Sequence, residues 1–415
     1  MRKKIAILMS VVLGGSILMS GCGQSAGDSS TEKENSGKEK VVFAYWGAET
    51  ENAAITKVIE NFEKNNQDID IEPQWIQKDY LTKVQVQIAG DTMADVYLVS
   101  GGDLPGFADN FEAMEVDSSK YLSQNLVDAM TIDGEVKAKP FIVKPKVMAI
   151  NKDLFEKNNL EVPNLETAMT TDEFREMAAA ITDQESDPQI FGSDPLYMGN
   201  WLYSFGGSYY KNGGTESNLD SPEDIAAANF MIEMKEKGYV PDDNQKQGQS
   251  MMDWFLAGRI GMYTDFGPWY IPQMKDVTGF DWDLVPIPGN GGGKEVDGLA
   301  VSNRSEHKEA AQKFVDYLCE NEEAQEIIGG DKNAYGVPVN SVAVESFEKI
   351  YEGKNLGAFV KAAYDQTPQE SQKKTNEIGA VQKPLEDETP LGTGTRTPEE
   401  VFPEVAEEVT KILQS

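Results

Sequence analysis

Two α/β domains, each a sheet covered by helices, are what this sequence predicts, and three observations carry the expectation. Residues 41–100 alternate strand-like and helical patterns, the stretch 41–415 is long enough for two cores, and the later helices have clearly marked starts. In order, residues 41–45 read as a first strand, and Ala54, Ile55, Val58, Ile59 and Phe62 then recur at helical spacing. Residues 69–76 form a second strand pattern interrupted by Pro73, Leu81, Val84 and Ile88 suggest a second helix, and residues 95–99 a third strand. A β-α-β-α-β order implies a parallel sheet, because parallel neighbours need a crossover and the crossover is a helix.

The second region is richer in helices. Thr170 followed by Glu173 forms a capping box ahead of Phe174, Met177, Ala178 and Ile181. Ser221-Pro222 supplies an N-cap and a proline suited to the first helical position, and Gly238 ends that helix. Thr397, Pro398 and Glu400 repeat the device before Phe402, Val405, Ala406, Val409 and Ile412. Cys319 shares an apolar stripe with Ala311, Phe314, Val315 and Leu318, so it reads as a packed core thiol. Residues 281–297, with two prolines and a run of glycines, read as a surface loop or a crossing between lobes. Residues 366–397 read as an irregular polar excursion.

The N-terminus carries its own message. Arg2, Lys3 and Lys4 precede an uncharged stretch, 5–19, too short for an ordinary membrane span, and Met19-Ser20-Gly21-Cys22 closes it with small residues before a cysteine. Residues 1–21 are therefore expected to be a signal peptide. The exit is similar to a bacterial lipoprotein box, with Met19 where leucine is usual, so Cys22 is the expected lipidation site. Residues 22–40 hold Gly, Ser, Glu and Lys with one alanine and nothing larger that is apolar beyond Cys22, which makes them a flexible, lipidated linker. The expected location is the extracellular face of the cell membrane.

Composition narrows the function further. The formal charge of −33 becomes −36 once the three positive charges of residues 2–4 are removed, and such a surface repels nucleic acid and anionic headgroups. With Cys22 assigned to lipid, Cys319 has no partner for a disulfide. His307, the only histidine, falls at a helix start near Ser305, which reads as its N-cap, and it suits neither zinc binding nor acid–base work. Ser305-x-x-Lys308, the glycine run before Lys294 and the stretch from Asp331 each miss a required element of a hydrolase, phosphate or calcium motif. No catalytic group, cofactor or metal is expected, and the protein is expected to be a monomer.

Aromatic placement is the feature that remains. Trp46 follows the first strand, Trp269 follows residues 260–263 through Asp265-Phe266-Gly267-Pro268, and Trp201 and Tyr203 lie in an aromatic, glycine-containing loop. Ligands of α/β sheets gather at strand ends, where a flat ring can lie on the C–H face of a sugar. Trp254 and Trp282 read as structural. Glu49, Asp103, Lys144, Asp265 and Arg396 are the candidates for binding hydroxyls, and a solvated loop is the plain alternative for each charge.

These residues bring a family into view. Val41 to Trp46, Ala94-Asp95-Val96, Asn151-Lys152-Asp153-Leu154-Phe155, Thr171-Asp172-Glu173-Phe174, Gly258-Arg259-Ile260-Gly261-Met262 with Gly267-Pro268-Trp269, and Tyr335-Gly336-Val337-Pro338 resemble the extracellular solute-binding proteins of carbohydrate ABC importers, of the maltose-binding type. The resemblance implies a periplasmic-binding-protein-like fold of two lobes, each a mostly parallel sheet with helices on both faces. The first lobe would take 41–149 and 298–336 and the second 150–297 and 337–415. It implies capture of an oligosaccharide in the cleft between lobes, Trp269 as a sugar platform, and delivery to permease subunits in the membrane. Ile150 stands where the family usually has tyrosine, Lys144 where maltose-binding proteins use glutamate, and Val99 and Ser100 where they carry a tryptophan, so maltose itself is not implied. A surface-anchored glycoside hydrolase or lyase, and a binding protein serving a membrane sensor kinase, are the alternatives.

Overall fold

The computed structural model describes residues 37–415 apart from 247, 276, 331–334 and 371. The expected signal segment, Cys22, most of the linker and the stretch from Asp331 lie outside the described residues. None of the described helices is long and apolar enough to cross a membrane. Strand β1 (Glu39–Tyr45) starts inside the expected linker, because Glu39 and Lys40 pair in register with Ile69 and Asp70.

The N-terminal alternation holds. β1 leads to α1 (Glu49–Asn65), β2 (Ile69–Trp75), α2 (Tyr80–Ala89) and β3 (Val96–Ser100), with β1 parallel to both β2 and β3. Helix α1 buries Ala54, Ile55, Val58, Ile59 and Phe62, the set its spacing predicts. Along β1, Val41, Phe43 and Tyr45 enter one hydrophobic cluster while Ala44 enters another, the period-two alternation of a sheet covered on both faces.

Three further strands complete this first sheet: β4 (Lys139–Lys144), β9 (Gly293–Val301) and β10 (Val337–Pro338), in the order β10-β4-β9-β3-β1-β2, with the short β11 (Thr367–Pro368) alongside the start of β9. The second sheet has the order β8-β5-β7-β6, from β5 (Val147–Asn151), β6 (Phe191–Ser193), β7 (Ile260–Phe266) and β8 (Trp282–Val285). Its strand β5 alternates in the same way, with Met148 and Ile150 on one face and Val147 and Ala149 on the other. The molecule is thus two-lobed.

The pairings correct the expectation of mostly parallel sheets. β9 is antiparallel to β3 and β4, β10 is antiparallel to β4, and β5 is antiparallel to β7 and β8. The chain re-enters each lobe along crossing segments rather than by helical crossovers, and a returning strand runs against its neighbour. β9 already belongs to the first sheet at Gly293, upstream of 298, and β10 adds residues 337 and 338 to that same sheet.

The predicted caps form. Thr170 and Glu173 close the box that starts α3 (Thr171–Ile181), Ser221 caps α5 (Pro222–Glu236), and Thr397 with Glu400 starts α9 (Pro398–Leu413). Such caps are worth about 1 kcal/mol each, because they satisfy N–H groups that the first turn leaves unpaired. Ser305 is not an N-cap: α6 (Lys308–Glu320) begins after His307, and Ser305 instead holds the Asp95 carboxylate. Cys319 is buried on α6, with Phe314 and Leu318 in the same cluster. The supposed aromatic loop is helix α4 (Met198–Ser204), closed by Gly206 at φ +84°. After α7 (Gly357–Asp365), the excursion from 366 holds β11 and α8 (Thr375–Gln382), and α8 packs on α9.

Candidate functional site

The two sheets are joined by residues 144–147, between β4 and β5. In this extended stretch Lys144 and Lys146 are two apart, so both side chains leave the same side of the chain. Each meets an aspartate and a tryptophan. Lys144 Nζ lies 2.6 Å from Asp297 Oδ2 and 5.8 Å from the Trp46 ring centroid, with the Tyr335 ring at 5.1 Å. Lys146 Nζ lies 3.2 Å from Asp265 Oδ1 and 4.1 Å from the Trp269 ring centroid.

The Trp46 group is built from the first lobe. The Tyr335 hydroxyl donates to the Trp46 carbonyl at 2.9 Å, Trp75 Nε1 donates to the Gly47 carbonyl at 2.9 Å, and the Tyr80 ring meets Trp46 edge-on at 4.8 Å. Asp297 is 1% exposed, and its Oδ1 has no partner. Burial pushes its carboxyl up to about 6 although Lys144 pulls the other way. On Lys144, burial disfavours the charge, but the attraction of Asp297 outweighs it and the ammonium is held above its ordinary value.

The Trp269 group is built from the second lobe. β7 delivers Asp265 and runs on to Gly267-Pro268, where the chain turns so that the Trp269 ring lies against Gly267. A Cβ on Gly267 would come within 2.3 Å of that ring, which is why glycine stands there. Asn200 Nδ2, from α4, donates to Asp265 at 3.3 Å. The Lys146 backbone is fixed separately: its carbonyl accepts from Gln366 Nε2 at 2.6 Å and its N–H donates to Gln366 Oε1 at 3.2 Å.

Three cavities follow, and Glu295, which lines one of them, stands opposite Lys144 in the pairing of β9 with β4. One of about 550 Å³ lies between Thr82, Gln85 and Asp103 on one side and Lys373 and Glu377 on the other. A second of about 100 Å³ is lined by Gly101, Glu295 and Gln369. The third, of about 190 Å³, is lined by Tyr197, Tyr209, Tyr210, Gln369 and Glu370. Gln369 borders the second and third, and a 2.6 Å hydrogen bond from Ser100, which borders the second, to Asp103 links it to the first. The segment from Pro368 through α8 therefore walls the whole trench. Lys373 Nζ also reaches Asp133 Oδ2, at the tip of a first-lobe hairpin, at 2.8 Å.

Of the expected residues, Asp103 lines the first cavity, and the structure gathers Trp46 with Lys144 and Trp269 with Asp265 about the crossing stretch 144–147. It does not bring the others there. Trp201 is 0% exposed and packs between Phe174 and Phe230, at 5.0 and 5.1 Å, so its ring has no face for a ligand. Tyr203 is buried on the same helix, against Gly293. Glu49 is exposed on the first turn of α1, and it is Glu51 that reaches back to the Ala48 N–H. Arg396 is engaged by Glu388 and Glu404 on the surface. Trp254 and Trp282 are buried as expected, under Arg259 and Lys354.

Sequence reasoning missed Lys146, Asp297, Tyr335, Tyr197 and Gln369. One signal was present: Lys144 and Lys146 interrupt a strongly apolar run at strand spacing. Tyr197, 56% exposed beside α4, had no such mark. Among the described residues no group of three or more acidic, cysteine or histidine side chains could hold a metal.

The geometry has relatives. The maltodextrin-binding protein MdxE of Bacillus subtilis is 23% identical over 367 residues, 82% of this chain and 83% of that protein. An ABC substrate-binding protein of Listeria monocytogenes, solved with cycloalternan, shares the fold at TM-score 0.79 and 24% identity over 91% of this chain and 99% of its own. The GacH receptor of Streptomyces glaucescens, solved unliganded and with acarbose, does so at TM-score 0.75 and 20% identity over 91% and 99%. The sequence pattern described as bacterial extracellular solute-binding protein matches residues 46–325, both tryptophan groups included apart from Tyr335. With most of the chain and the crossing strands inside that match, the protein belongs to the bacterial extracellular solute-binding proteins.

Proposed function

We infer that the trench captures an oligosaccharide and that the loaded protein delivers it to the membrane subunits of an ATP-driven importer, without catalysing a reaction. One observation carries the reading: Trp46 and Trp269 stand on different lobes, each beside a lysine and an aspartate of opposite charge. Rings offer faces for sugar C–H groups, and a site in which each lysine is neutralised by an aspartate suits a neutral ligand better than a charged one. The names of the relatives, which bind maltodextrin, cycloalternan or acarbose, support the same class.

The mechanism is closure. Ligand that touches both lobes favours the closed arrangement by its differential affinity, with residues 144–147, the 286–292 segment and Gln366 as the hinge. Lobe boundaries drawn along the strands would be 41–146 with 293–338 in the first, and 147–292 with most of 339–415 in the second. Lipid on Cys22 would hold the protein at the outer face of the membrane, and Cys22→Ser should release it or leave it unprocessed.

A thermal-shift screen of residues 38–415 across a glycan panel tests binding, since a ligand of the native state raises the melting temperature. Calorimetry on the hits and chromatography of the recovered glycan complete the test. A neutral oligosaccharide bound and returned intact is the expected result. Shorter products would move the case to a hydrolase, and no hit among neutral glycans would remove the sugar reading.

A further inference from the structure

We propose that Lys146 is an internal occupant of the ring face of Trp269, and that a sugar stacking there must first displace its ammonium. The inference rests on the oligosaccharide reading and adds a residue that sets affinity at that platform. The ammonium stands over the ring at 4.1 Å from the centroid, well within the range of cation–ring attraction. That attraction uses the negative ring face that the C–H groups of a sugar also use, so the two occupants compete. The ring gains no room by moving, since it already rests on Gly267.

Two features make the ammonium displaceable. Its ion pair with Asp265 is 3.2 Å long, against 2.6 Å for Lys144 with Asp297, and Asp265 also takes the Asn200 amide. The Lys146 main chain is clamped through both its N–H and its carbonyl by Gln366, so the side chain can swing while the backbone stays. Asp265, whose side chain is 36% exposed, remains solvated when the ammonium leaves and becomes a free acceptor beside the ring. Occupancy of the platform is thereby tied to the residue whose backbone joins two of the crossing segments.

The test compares Lys146→Ala with Lys146→Arg, because the two changes should act in opposite directions. Alanine removes the competitor, whereas a guanidinium holds an indole face more firmly than an ammonium does. With maltooligosaccharides of increasing length and the tightest-binding member of the glycan panel as probes, Lys146→Ala should bind about five- to thirtyfold tighter than the wild type. Lys146→Arg should bind more weakly. A structural role alone would weaken both variants. A second measurement needs no ligand: Lys146→Ala should change tryptophan emission, and the change should vanish in a Trp269→Phe background. Weaker binding by Lys146→Ala would make the ammonium a ligand donor and overturn the proposal, as would unchanged emission. Failure of every glycan to bind the wild type would instead strike the oligosaccharide reading, with the emission comparison still deciding whether Lys146 occupies the ring.

Discussion

Lys144 with Asp297 and Trp46, and Lys146 with Asp265 and Trp269, are the same three residue types set two positions apart on one crossing strand, yet they stand in different surroundings. The first pair is buried and short, with Asp297 1% exposed and a 2.6 Å contact. The second is longer, at 3.2 Å, and its aspartate is partly open to solvent. A pair buried on both sides must stay paired, because removing either partner strands a charge in low dielectric, whereas in the second pair Lys146 is buried but Asp265 reaches solvent, so its carboxylate stays hydrated when the contact breaks. The first group therefore reads as the rigid member of the two and the second as the adaptable one.

The sharpest way to break that contrast is Asp297→Ala. It leaves the Lys144 ammonium buried without its counter-charge and should cost about 3–5 kcal/mol of stability, read by denaturant unfolding. Asp265→Ala also strands an ammonium, since the Lys146 side chain is 7% exposed, but it removes a longer contact to a partly solvated carboxylate and should cost less. Equal losses would mean that the two groups do the same job.

Next in size, Trp269→Ala should lose about 2 kcal/mol of binding free energy or more, at least tenfold in affinity. Trp282→Ala, buried against Tyr351, is the control: it should lower stability and bind normally once folded. Calorimetry on both, after circular dichroism confirms folding, checks the pair. Normal binding by Trp269→Ala with lost binding by Trp282→Ala would misplace the site.

The pH dependence sharpens the comparison from another side. Burial raises the Asp297 carboxyl from 3.8 to about 6, so the native state keeps a proton that the unfolded chain has released. Its stabilising contribution is complete below about 3.8 and is lost as pH rises through about 6. Unfolding free energy should fall across that window by up to about 1.4 kcal/mol per pH unit from this group, and Asp297→Asn should flatten the slope. An unchanged slope would argue that the carboxyl is not desolvated.

The smallest effect belongs to the exposed contact of Lys373 with Asp133, which spans the mouth of the trench. Asp133→Asn should change glycan affinity by no more than about threefold, and the difference should vanish at high salt. A larger, salt-independent effect would make this contact a third group of the site.

Much of this arrangement was legible beforehand. The apolar spacing of α1, the capping boxes of α3 and α9 and the strand-end position of Trp269 are local patterns, and each formed where it was read. Trp201 shows where local reading stops. Its aromatic neighbours suggested a binding loop, but the same residues make a helix whose ring falls between Phe174 and Phe230, and nothing near Trp201 in the chain announces Phe230. Arg396 failed for a similar reason, since Glu388 and Glu404 claim its guanidinium.

The sequence by itself determined the helices and strands of the N-terminal alternation and the capped helices, because periodicity and caps act over a few residues, whereas α4, α8 and β8 were read as loop or irregular chain. It also determined that two tryptophans stand at strand ends. Only the tertiary structure decided which charges meet them. Asp297 reaches Lys144 through antiparallel pairing of β9 with β4, and Asp265 reaches Lys146 through pairing of β7 with β5. Gln366 returns from near the far end of the chain to hold the crossing strand. Such partners are chosen by sheet register and by discontinuous lobes, which depend on how the whole hydrophobic surface is buried, and no short stretch of sequence carries that information.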